Sequence, residues 1–127
     1  MQLTALNPDT LAAPGGHYSH VLVAGGLVYV AGQLPIDARG AKLVEAPFET
    51  QARQVLANID AALLAAGTSR VRLVQVRVYV TDIAHWPAFN ALYAAWLGLH
   101  RPVRTVVPVA ALHHGLLIEA EAIAALP

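Results

Sequence analysis

Hydrophobic and polar positions along the chain change period several times, and each change marks an element. Residues 19–32 form two β-branched runs on either side of Gly25-Gly26. Glycine reaches the positive φ of a tight turn, so this segment predicts a β-hairpin. Gln33-Leu34-Pro35 closes its second strand, because proline has no N–H for a ladder. Between Phe48 and Ala66 the apolar positions are Phe48, Ala52, Val55, Leu56, Ile59, Leu63 and Ala66. That spacing predicts a helix with one buried stripe, with Pro47 at its start and Gly67 at its C′ position. Val71 to Val80 alternates, with Val74, Val76, Val78 and Val80 on one face and Gln75, Arg77 and Tyr79 on the other. This predicts a half-buried strand. A second helix starts at Pro87, carries Phe89, Leu92, Tyr93, Trp96 and Leu97 on one face, and stops at Gly98. Pro102 to Val109 and Leu116 to Ala125 read as two more strands joined by residues 110–115. The order β-β-α-β-α-β-β predicts one α+β domain over residues 1–127, with both helices on one face of a mixed sheet.

Composition adds a partner to this picture. Apolar residues make up 57% of the chain and charged residues 13%, against about 25% charged in an average domain. So few charges cover a small monomer poorly, and an obligate interface with further copies would absorb the surplus apolar surface. The formal net charge is zero and there is no Lys/Arg run. That argues against nucleic acid as the main partner. With no cysteine, disulfides, zinc–thiolate sites and a Cys nucleophile are excluded. The start of the chain has neither a charged n-region nor a long apolar stretch, and no apolar run is long enough to span a membrane. A cytoplasmic protein is the expectation.

Few residues suit chemistry. Arg104 interrupts a strand of Val, Thr and Pro, and Glu119 and Glu121 share one face of the last strand. Were residues 110–115 to join these strands as an antiparallel hairpin, Arg104 would lie near Glu121, with Glu119 one pair along. Such a group is either a cross-strand ion pair or a site in which Arg holds a carboxylate and Glu moves a proton. Tyr18, in a loop after Pro14-Gly15-Gly16, is either a pocket donor or a packing aromatic. Asn90 falls opposite the apolar stripe of its helix and reads as a surface residue. His17 and His20 flank Tyr18, His113 and His114 read as solvated loop residues, and the histidine spacing fits no metal-site pattern.

Four stretches together resemble the RidA/YjgF (L-PSP) family. HYSHVLVAGGLVYVAGQLPID is similar to its N-terminal segment, and FETQARQVLANIDAALLAAG to its first helix. VQVRVYVTDIAHWPAFNALYAAWLG and RPVRTVVPVAALHHGLLIEAEAIA are similar to its later segments, the last carrying a P-x-R strand followed by a strand with a conserved-type Glu. The resemblance implies a chorismate-mutase-like fold, a homotrimer with clefts between subunits, and cofactor-independent, metal-free hydrolysis of 2-imino acids or enamines to 2-oxo acids and ammonia. It implies that Arg104 holds the substrate carboxylate, that Glu119 activates water, and that Tyr18, Asn90 and Gly32 line the cleft. The chain departs from the pattern at Val106, where deaminases usually have Cys, and at Thr105, His20 and Ala120. The competing expectation is a non-catalytic trimer that binds small carboxylates. A ribonuclease role, a label some relatives carry, fits poorly with the neutral charge.

Overall fold

Alternating valines and alanines build the sheet that organises the molecule. The computed structural model describes residues 1–127. In chain order the elements are β1 (Leu3–Leu6), β2 (Val21–Ala24), β3 (Leu27–Gln33), α1 (Phe48–Ala65), β4 (Leu73–Val80), α2 (Trp86–Leu97), β5 (Val103–Pro108) and β6 (Ile118–Ala125). The strands form one sheet in the order β1-β2-β3-β6-β4-β5. Only β4 and β5 run parallel; every other pairing is antiparallel. The expected α+β architecture with a mixed sheet is therefore present.

Both helices cover the same sheet face. Val28, Val30, Val76, Val78, Val80, Ile118, Ala120, Ala122 and Ala124 are buried there against Val55, Ile59, Leu63 and Phe89. Large and small side chains alternate across the pairing: Val30 and Val76 flank Ala122, and Val78 is beside Ala120. The alanines of β6 leave room for α1 to lie across it. Gln51, buried on α1, accepts from the Leu117 N–H at 2.9 Å and donates to the Ala46 carbonyl at 3.1 Å. These bonds tie the helix to the segment that enters β6. Gly67, at φ 84°, reverses the chain after α1 as its position predicts. The opposite sheet face has no helix over it, and Tyr29, Val103 and Val107 are exposed on it. No helix is long and apolar enough to cross a membrane.

The structure corrects three expectations. β1 was not foreseen: a four-residue, largely exposed edge strand shows too little alternation to stand out. Val74 does not share the buried face of Val76. A bulge between Leu73 and Gln75 turns Leu73 inward and leaves Val74 45% exposed. The third concerns residues 110–115, which do not form a hairpin. They carry the chain from the sheet edge back to its middle, so β6 lies between β3 and β4 and does not touch β5.

Ile59 is fully buried beneath the sheet. Replacing it with Ala should lower the unfolding free energy by about 2–5 kcal/mol, measured by urea denaturation.

Candidate functional site

The register of β4 decides where the chemical groups point. Arg104 pairs with Val76 and Val106 with Val78, so both face the helix side. Glu119 pairs with Tyr79 and Glu121 with Arg77, so both carboxylates face the open side. Arg104 and Glu119 therefore lie on opposite faces of the sheet. The patch of one arginine and two carboxylates that a hairpin would have made does not exist within one chain, and neither carboxylate pairs with Arg104.

On the helix side Arg104 Nη1 donates to Asn90 Oδ1 at 2.9 Å. Its guanidinium lies 4.9 Å from the centre of the Tyr93 ring and 5.8 Å from that of Trp86, both on α2. The aromatic faces favour the cation and fix its plane. Asn90 is thus no free surface residue; it orients the arginine. A cleft of about 410 Å³ opens here, with Asn90, Tyr93, His100, Arg101 and Arg104 in its wall. The Tyr93 hydroxyl is buried without a hydrogen-bond partner, and burial pushes its pKa up to about 12 against the pull of Arg104. The remaining N–H groups of the arginine donate to no other group in the chain, and a guanidinium fork of this kind can take a planar anion.

On the open side a second cleft of about 380 Å³ brings together Tyr18, Gly32, His113, His114 and Glu119. Gly32 follows Ala31 in a bulge of β3 between Val30 and Gln33. A Cβ at Gly32 would sit 2.5 Å from Glu119 Oε2, so the missing side chain makes the space that the carboxylate fills. Tyr18 Oη accepts from the Gly15 N–H at 3.3 Å, which leaves its own proton free to donate. Glu119 has a raised pKa, chiefly because burial disfavours its charge; nearby Glu121 adds to this, while the positive charge available on His113 opposes it. Glu121 accepts from the Tyr79 hydroxyl, which raises the Tyr79 pKa in turn.

The structure thus sorts the expected residues into two clefts, Asn90 and Arg104 in one and Tyr18, Gly32 and Glu119 in the other, while Val106 shares the sheet face of Arg104 but packs against the core outside both. His17 is exposed, whereas His20 is buried below Tyr18. His113 and His114, read from sequence as solvated, are exposed but border the Glu119 cleft. His114 holds φ 63°, the sole positive φ outside glycine, in the left-handed region that histidine enters more readily than most residues. No sequence spacing announced this, since only the crossover of residues 110–115 brings them there. No cluster of three or more His, Cys, Asp or Glu side chains has a metal-holding arrangement.

The sequence profile of the Endoribonuclease L-PSP family matches residues 9–126. The chain belongs to the RidA/YjgF/L-PSP family. A RutC family protein of Pyrococcus horikoshii is 41% identical over 111 residues, 87% of this chain and 88% of that protein. The crystal structure of the yeast protein YEO7 superposes with a TM-score of 0.95 at 37% identity, covering 99% of this chain and all of that one. Escherichia coli TdcF, solved with bound serine, superposes with a TM-score of 0.91 at 28% identity, covering 98% of this chain and 99% of its own. The family match extends across both clefts.

The raised Glu119 pKa carries a stability consequence. A carboxyl group with a higher pKa folded than unfolded makes the native state bind more protons in the window between the two values. Stability then falls as pH rises through that window. Glu119→Gln should therefore melt at a higher temperature than the wild type at neutral pH. The difference should close as pH is lowered through the carboxylate range, as followed by thermal denaturation at several pH values.

Proposed function

We propose that the protein is a cofactor-independent deaminase that hydrolyses reactive 2-imino acids, or the enamines that tautomerise to them, to 2-oxo acids and ammonia. The observation that carries this reading is the partly buried Glu119, whose pKa burial raises, in a cleft that Gly32 keeps open and Tyr18 borders. A carboxyl group whose pKa moves toward neutrality suits both acceptance and return of a proton. Arg104, aimed by Asn90, Tyr93 and Trp86, suits the substrate carboxylate.

The two halves lie back to back in one chain, so a working site takes Arg104 from one subunit and Glu119 from a neighbour. The uncovered sheet face and the low charge content support association, and a homotrimer closes it with one cleft at each interface. In such a cleft Arg104 orients the imine while water adds to the C=N carbon and Glu119 takes one of its protons. The resulting carbinolamine receives that proton on nitrogen. Glu119 then takes the hydroxyl proton and returns it to nitrogen as the C–N bond breaks and the C=O bond forms, releasing ammonia. One water is consumed, and the balance needs no metal and no redox partner. Val106, in place of the usual Cys, makes the Arg104 side more apolar but removes neither the arginine nor the glutamate.

The serine bound to TdcF favours a second reading, in which the cleft only binds small amino or oxo acids and serves regulation. An assay with 2-iminobutyrate generated by an amino-acid oxidase separates the two. Under the deaminase reading the wild type accelerates imine loss, and Glu119→Gln loses roughly 100-fold or more of that acceleration, as removal of a general acid–base group does. Arg104→Ala loses activity chiefly through KM. A wild type that is stabilised thermally by 2-oxobutyrate yet hydrolyses no imine supports the binder instead.

A further inference from the structure

His20 stands where β2 begins, at the end of the segment 12–20 that carries Gly15, Gly16 and Tyr18. It is only 7% exposed. Its backbone N–H donates to Asn7 Oδ1 at 2.9 Å, and its carbonyl accepts from the Ala31 N–H at 2.9 Å. Both ring nitrogens are engaged as well: Nε2 lies 2.7 Å from the Ala12 carbonyl and Nδ1 lies 3.1 Å from Gln33 Nε2. A carbonyl only accepts, so Nε2 carries a proton. Gln33 Nε2 also donates to the Ala31 carbonyl at 3.1 Å, which orients the amide with its NH₂ toward His20. Nδ1 must then be the acceptor. The pattern accommodates one species only, the neutral imidazole protonated on Nε2.

We propose that His20 is a positioning residue: its neutral ring clasps segment 12–20, and with it Tyr18, against the Glu119 cleft, and protonation of the ring opens the clasp. A proton on Nδ1 would set two donors face to face in a buried place, with Gln33 unable to turn without giving up Ala31. The ionisable side chains around the ring are Tyr18, whose ring meets it edge-on at 5.7 Å, and Lys42, which lines the same cavity. From α1 the neutral Asn58 faces the cavity, and no carboxylate lines it. Glu119 of β6 stands beyond Gly32 and makes no hydrogen bond to the ring. Gly32, which makes room for Glu119, adjoins Gln33 in β3, so the clasp touches both walls of the cleft. The consequence for turnover rests on the deaminase reading; the clasp itself does not.

The test compares wild type, His20→Gln and His20→Leu. A glutamine offers one donor and one acceptor without titrating, so it rescues the clasp; a leucine offers neither. Hydrogen exchange of the amides of Gly15, Tyr18 and residue 20, the hydrogen-bonded ones of this segment, is followed between about pH 8 and about pH 5, the range in which imidazoles titrate, after correction for intrinsic rates. In the wild type, protection of this segment should fall roughly tenfold at the acid end, the scale of one buried donor left unsatisfied. His20→Gln should stay protected throughout, and His20→Leu should be unprotected at every pH. KM for 2-iminobutyrate should follow the same pattern. Equal pH dependence in wild type and His20→Gln, or full protection in His20→Leu, overturns the proposal. Absence of imine hydrolysis in every protein would sink the deaminase reading alone, because the exchange data still judge the clasp.

Discussion

Everything in this molecule depends on β6 lying in the middle of the sheet. Its two neighbours, β3 and β4, both hydrogen-bond to it, and its side chains alternate between two jobs. Ile118, Ala120, Ala122 and Ala124 are buried against the helices, while Glu119, Glu121, Ile123 and Ala125 face the other way. A strand in this place cannot slip by one residue without driving two carboxylates into the core. The same alternation that packs the protein therefore fixes the direction of Glu119. Gly32, on the neighbouring strand, then leaves the gap into which that carboxylate fits.

Strength and polarity are divided between the faces. The helix side gains its stability from burial of apolar area, and it admits Arg104 only at the sheet edge, where α2 supplies Asn90 and two aromatic rings. The open side holds a polar row, Tyr79 with Glu121 and Glu119 with the histidines of the preceding turn. Burial of a carboxylate without a paired cation costs stability, and Glu119 responds by holding its proton more tightly. Under the proposed deaminase reading that response would also fit it to acid–base work, so local destabilisation and chemical usefulness would have one cause.

Much of this was legible in the sequence. Helical spacing locates α1 and α2 to within a residue or two, and alternation gives the faces of β4 and β6, because burial on one face imposes a period that the order of residue types displays. Strand order was not legible. Periodicity reports which face a residue occupies on its own strand, not which strand lies beside it, so Arg104 was placed near Glu121 when it sits two strands away and on the other face. The histidines of the turn before β6 were missed for the same reason: exposure made them look idle, and only the crossover brings them to Glu119. Val74 was misplaced because a bulge breaks the period of two without leaving a mark in the residue types. His20, by contrast, departs visibly from the family's usual residue, but its burial and its two ring contacts come from three separate parts of the chain.

The back-to-back placement of Arg104 and Glu119 has a genetic corollary. If each cleft draws one half from each of two neighbours, an allele that loses the arginine and an allele that loses the glutamate damage different halves. Co-expressed, the two inactive products would assemble rings in which some junctions bring two undamaged halves together. Each allele would then partly hide the other's defect, whereas either one mixed with the normal product would spoil sites it does not itself own.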